Sequence, residues 1–82
     1  MNKEKLFQIV SRIFDISESE INYSNSPETI EKWDSFNGYI LLDEIENEFE
    51  VKFSLDEILE IKNIGDFKLL LEKQGISFID GK

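Results

Sequence analysis

Apolar residues return every three or four positions in three stretches of this chain, and each stretch predicts a helix. In the first, over about 2–15, Leu6, Ile9, Val10 and Ile13 fall within one stripe at about 100° per residue, with Asn2 able to cap the start. The second, over about 35–50, gathers Leu41, Leu42, Ile45 and Phe49 on one side. Asp34 and Ser35 are both good caps for it, and the pattern does not choose between them. The last, over about 64–74, turns Ile64, Phe67, Leu70 and Leu71 inward, with Asn63 as cap and Gly75 closing it in a left-handed conformation. Ahead of it, Ser54-Leu55-Asp56-Glu57 has the form of a capping box and starts a short helix over about 55–61.

Residues 16–32 keep no sustained period and are rich in Ser, Asn and Glu, which reads as a long connecting loop. One short turn is expected within it, with Ser26 as cap and Pro27 at the first helical position. Loops of this length are uncommon in so small a domain and are often functional. Ile21, Tyr23, Ile30 and Trp33 are predicted to pin it to the core, while the tail over 76–82 is too short to assign. The expected fold is all-α: one domain over 1–82, a four-helix bundle with a long first loop and a short third helix.

On the second helix, Phe36, Ile40, Asp43, Glu44 and Asn47 lie roughly opposite the core stripe. Phe36 and Ile40 stand one turn apart on an otherwise acidic face, an apolar patch that the fold does not require. That makes it a candidate docking surface for a protein partner.

Composition narrows the chemistry. Of the 82 residues, 40% are hydrophobic and seven are Phe, enough for a small core without staples. The absence of Cys rules out disulfides, thiol nucleophiles and thiolate metal sites. The absence of His removes the usual base near neutral pH and the commonest transition-metal ligand. A serine nucleophile needs a base and an orienting group, and no pattern here supplies them for Ser35, so an enzyme is not expected. The acidic run at 43–50 sits mid-helix without the glycine turn of a calcium loop, so neither is a dedicated metal site. A serine at a loop-to-helix junction is better placed to be modified by another enzyme than to attack anything itself. Its plainer role is that of a helix cap.

The formal net charge is −9. Such a field repels nucleic acid and anionic membranes and draws in basic protein patches. Charge alone would also suit an acidic adaptor or a nucleic-acid mimic. No apolar run reaches membrane-spanning length and no leader precedes Asn2-Lys3-Glu4-Lys5, so a cytoplasmic protein is expected. The richness in Ile, Lys, Asn and Glu fits an AT-rich, bacterial genome.

Trp33-Asp34-Ser35-Phe36, then Leu41-Leu42, Ile45-Glu46-Asn47-Glu48-Phe49, Phe53, Asp56-Glu57 and Asn63-Ile64-Gly65-Asp66-Phe67, together resemble the acyl carrier proteins. The likeness runs without a gap from Asp34 to about Leu71, and the first helix and long loop also fit it. It implies that Ser35 receives 4′-phosphopantetheine from coenzyme A, whose thiol then bears an acyl group as a thioester on a monomeric carrier. It also implies partners that dock on the second helix: a phosphopantetheinyl transferase and acyl-loading or acyl-transferring enzymes with basic patches. These would meet Asp34, Phe36, Ile40, Asp43, Glu44 and Asn47, with Ile58 nearby on the third helix. An aminoacyl or peptidyl carrier uses the same serine and helices and is the alternative. The chain departs from the common pattern at Trp33, where a small residue is usual, at Phe36 in place of Leu, and at Gly38 within the helix. Ile40 and Asp43 also stand where acidic and apolar residues, respectively, are usual, which suits a carrier in a specialised pathway.

Overall fold

The computed structural model describes residues 2–78. Its helices are α1 (Asn2–Phe14), α2 (Ser35–Phe49), α3 (Leu55–Leu59) and α4 (Ile64–Lys73), with one 3-10 turn (Glu18–Glu20) after α1. No strand occurs among the described residues.

Three helix starts and three helix ends have an identifiable cause. Asp34, Ser54 and Asn63 cap α2, α3 and α4, and the last two form complete capping boxes with Glu57 and Asp66. Asn2 is not a cap: it is already helical, and its side chain donates to the carbonyl of Ser77 at 2.7 Å. The three longer helices end by one device. Asp15, Glu50 and Gly75 take positive φ (57°, 57° and 92°), and the next amide reaches back five residues: Ile16 to Ser11, Val51 to Glu46, Ile76 to Leu71. Each of those next residues is apolar and packs against the core, the hydrophobic contact that accompanies this ending. Only Gly75 advertised it in the sequence. Helix α3 stops at Leu59 rather than near Ile61.

The core is built from the stripes the periodicity marked. All eight inward residues assigned to α2 and α4 are buried, and Leu6, Val10, Leu41, Ile45, Ile64 and Leu71 are sealed from solvent. The stripe of α1 is wider than expected: Phe7 and Phe14 are buried, while Ile13 is half-buried at its edge. Phe78 also belongs to the core, its ring 6.4 Å from that of Phe49. Truncating a buried phenylalanine in such a core costs about 3–5 kcal/mol.

The long connection is less loose than its composition suggests. Ser17 starts the 3-10 turn, accepting from the Ser19 amide at 3.3 Å. Ser26 starts the expected turn at Pro27, its hydroxyl accepting from the Glu28 amide at 3.2 Å. Ile21 and Ile30 are buried, and Tyr23 and Trp33 lean on the core. Tyr23 is held between helices: its ring meets Phe7 edge-on at 5.3 Å, with the ammonium groups of Lys3 and Lys68 at 5.8 and 5.6 Å. The carbonyls of Tyr23 and Asn25 then accept the amides of Gly65 and Ile64 at 2.8 and 3.0 Å. The loop thereby supplies partners for donors that the first turn of a helix leaves over.

Candidate functional site at the start of helix α2

The chain enters α2 through a fixed turn. The Trp33 amide donates to the Ile30 carbonyl at 3.1 Å and the Asp34 amide to the Lys32 carbonyl at 3.0 Å. Asn37 reaches back from the first helical turn, its side-chain amide donating to that same Lys32 carbonyl at 2.8 Å. Asp34 is extended (φ −105°, ψ −174°), and its Oδ1 accepts the Asn37 amide at 2.8 Å. The choice between the two caps is thus resolved: Asp34 caps, and Ser35 is the first helical residue.

Ser35 is exposed. Among the described residues, no protein group accepts a hydrogen bond from the amides of Ser35 and Phe36, and none engages the Ser35 hydroxyl. This corner therefore offers a free hydroxyl beside the positive end of a helix dipole. It can be approached from solvent, and among the described residues no side chain accepts its proton.

Behind Ser35, Trp33 is packed rather than displayed. Its indole is stacked on Phe14 at 5.4 Å and on Phe67 at 6.4 Å, and Phe67 in turn meets Phe53 at 6.5 Å. Gly38 is what admits the indole. A Cβ at residue 38 would lie 2.9 Å from Nε1 and 3.2 Å from Cδ1 of Trp33. The large residue before the cap and the glycine inside the helix are two halves of one contact.

Ahead of Ser35, the outer face of α2 borders an open groove of about 540 Å³. Phe36, Ile40, Asp43 and Ile58, four of the residues predicted to meet partners, all line it. Phe36 and Tyr39 are each 74% exposed. Ile40 does not stand fully in water as expected: it is half-buried, and Ile58 of α3 lines the same groove. Asp34 stays at the cap. Glu44 lies outside the groove, its Oε1 3.1 Å from the Arg12 guanidinium of α1. Asn47 is exposed one turn beyond Asp43, 3.5 Å from its carboxylate.

The pattern reading passed over Tyr39, Glu46, Lys52 and Phe53, which complete the groove together with Leu42 of the core stripe. Tyr39 carried a signal, since Phe36, Tyr39, Ile40 and Asp43 are spaced three and four apart along one face. Glu46 did not. Its side chain is 13% exposed, and Oε2 accepts the Phe53 amide at 2.9 Å while Oε1 lies 3.8 Å from Lys52 Nζ. From the other side, the Gln74 side chain donates to the Lys52 carbonyl at 2.7 Å. The link between α2 and α3 is pinned at both edges. At the start of α3, Ser54 N–H donates to the Glu57 carboxylate and the Lys73 ammonium lies 3.5 Å away, which together hold Glu57 below the usual carboxylate range.

Among the described residues, no cluster of His, Cys, Asp or Glu could hold a metal ion, and no helix is long and apolar enough to cross a membrane. No family sequence model matches the chain, and no curated protein matches it in sequence. Its fold does match solved structures. One is described as that of a candidate acyl carrier protein from Mycobacterium tuberculosis, with TM-score 0.76 and 22% identity, over 87% of this chain and 95% of that one. At that identity the likeness is one of architecture, and the architecture is the four-helix fold of acyl carrier proteins.

Proposed function

We propose that this chain is a carrier rather than an enzyme, a single domain over 1–82 that works in the cytoplasm as a monomer. A phosphopantetheinyl transferase attaches 4′-phosphopantetheine from coenzyme A to Ser35. One observation carries the reading: an exposed Ser35, first residue of α2 behind an Asp34 cap, on this fold. The site fits the group because the hydroxyl is unengaged and the two nearest amides have no protein acceptor among the described residues. When bound, the group supplies the thiol that this chain does not encode, on which cargo is held as a thioester.

The chain's own residues do the rest. Asp34 fixes the first turn through the Asn37 amide, so the hydroxyl is offered from a rigid corner. The helix dipole contributes about 0.3–1 kcal/mol toward a negative group at this end, which offsets part of the repulsion from a protein of charge −9. That same charge steers partners with basic patches. Phe36, Ile40 and Ile58 supply the apolar floor they would cover, with Asp43 in the same lining; Asp34 at the cap, and Glu44 and Asn47 further along α2, are the other residues they would meet. The pathway is a specialised biosynthetic one, in keeping with Trp33 and Phe36.

The test is chemical. Incubation with coenzyme A and a phosphopantetheinyl transferase, followed by intact mass, is expected to show one adduct on wild type and none on Ser35→Ala. The variant should keep its melting temperature, because Asp34 and not Ser35 caps the helix. A wild type that stays unmodified under competent conditions would favour the acidic adaptor instead.

A further inference from the structure

We infer that Trp33 is a plug: it closes the Ser35 end of the bundle to any apolar chain attached there, so the cargo rides outside the core. This rests on the carrier reading above and adds to it a residue that decides where cargo can go.

An apolar chain tethered at the end of α2 is driven toward any apolar void within reach, since burying it removes hydrocarbon from water. The interior below Ser35 is the obvious destination. It is occupied. Phe14, Trp33, Phe67 and Phe53 form a row of rings at successive separations of 5.4, 6.4 and 6.5 Å, running from α1 across to the link before α3. Phe14 and Phe67 are no more than 2% exposed. Against α2 the fit is tighter still, because a single added carbon at Gly38 would sit 2.9 Å from the indole. An alkyl chain needs about 4 Å to its neighbours on every side. No chain passes between Trp33 and α2 unless the ring moves. The roomier space lies elsewhere, in the outer groove, whose lining includes neither Trp33 nor Gly38. A plug of this kind suits cargo that must stay accessible, or cargo too polar to gain from burial.

Trp33 is the sole tryptophan, so its emission reports directly on the plug. Wild type and Trp33→Ala are loaded from acetyl-coenzyme A and octanoyl-coenzyme A by the transferase, checked by intact mass, and melted. In wild type the octanoyl chain has only the outer groove to bury in, so the acetyl and octanoyl forms are expected to show the same indole emission. In Trp33→Ala the octanoyl form should gain about 5 °C over the acetyl form beyond any gain seen in wild type, because the chain now has room to bury its methylenes. An octanoyl chain that shifts the emission of wild type overturns the plug. So does a folded Trp33→Ala that gains no more from the longer chain than wild type does. Should Trp33→Ala fail to fold, the wild-type pair and its emission decide alone. Absence of any Ser35 adduct overturns the carrier reading and the plug with it, whereas loading with a shifted wild-type emission removes only the plug.

Discussion

Helix α4 begins behind Asn63 and helix α2 behind Asp34, caps of the same chemistry that lead into opposite surroundings. At α4 the first three amides are all taken, Ile64 by the Asn25 carbonyl, Gly65 by the Tyr23 carbonyl and Asp66 by the Asn63 side chain. Asp66 returns the favour to the Lys62 and Asn63 amides at 2.7 and 3.3 Å. Ile64 is fully buried at the same spot. At α2 only the third amide is matched by the cap, and the two before it face outward with Ser35. Helix ends closed on every side hold a fold together. A helix end that a stable domain leaves unclosed is available for something other than folding, and this is where the proposed attachment falls.

The contrast can be broken by removing each cap. Asn63→Ala loses the cap, the box and the seat of the loop, and is expected to cost about 2 kcal/mol in urea unfolding. Asp34→Ala, at an exposed end, should cost about 0.5–1 kcal/mol. Equal losses would mean that the two ends are energetically alike. The glycines sharpen the point, since the loop presses on one in each helix. Gly65→Ala puts a Cβ 3.2 Å from the Tyr23 carbonyl that bonds its own amide, and about 1 kcal/mol of destabilisation is expected. Gly38→Ala gains about 1 kcal/mol of helix propensity but must push the Trp33 ring. A net change below about 0.5 kcal/mol with altered indole emission is the expected result. Full realisation of the propensity gain with unaltered emission would show that the ring is not seated there.

The smallest effect concerns pH. Glu57 is held below its ordinary value of 4.5 by the Ser54 amide and then by Lys73, so the unfolded chain binds its proton more readily than the folded one. Its stabilising contribution is complete above about 4.5 and is lost as pH falls through the lowered folded value. The neutral isostere Glu57→Gln should therefore differ most from wild type above that range and converge with it in acid. A constant difference across the acid limb would contradict the assignment.

Much of this was legible in the sequence, and what was not has a common cause. Periodicity marked the inward residues of α2 and α4 because a helix repeats its own geometry every turn. The capping box at Ser54 was readable because its partners lie three residues apart, while at Asn63 only the cap was read and not its return from Asp66. Non-local contacts left no such trace. Nothing near Tyr23 or Asn25 announced that their carbonyls would be taken by amides some forty residues later. Ile40 was read from its own helix alone, and Ile58, which lines the groove with it, comes later in the chain. Trp33 and Gly38 were visible as two oddities, and only folding shows that one explains the other. At the candidate site, the corner bearing Ser35 was readable from its flanking residues. The groove was half readable, since Phe53 and Lys52 reach it through the α2–α3 link and not through any period.

That link has a dynamic corollary. Five residues cannot sustain a helix in water, so α3 exists on borrowed rigidity: the Glu46 carboxylate clasping Phe53 and the Gln74 amide clasping Lys52. The Phe53 amide should exchange slowly with deuterium although it lies outside any helix, and its exchange should quicken together with that of α3 when either clasp is cut. Two side chains thus set how long one wall of the groove stays upright.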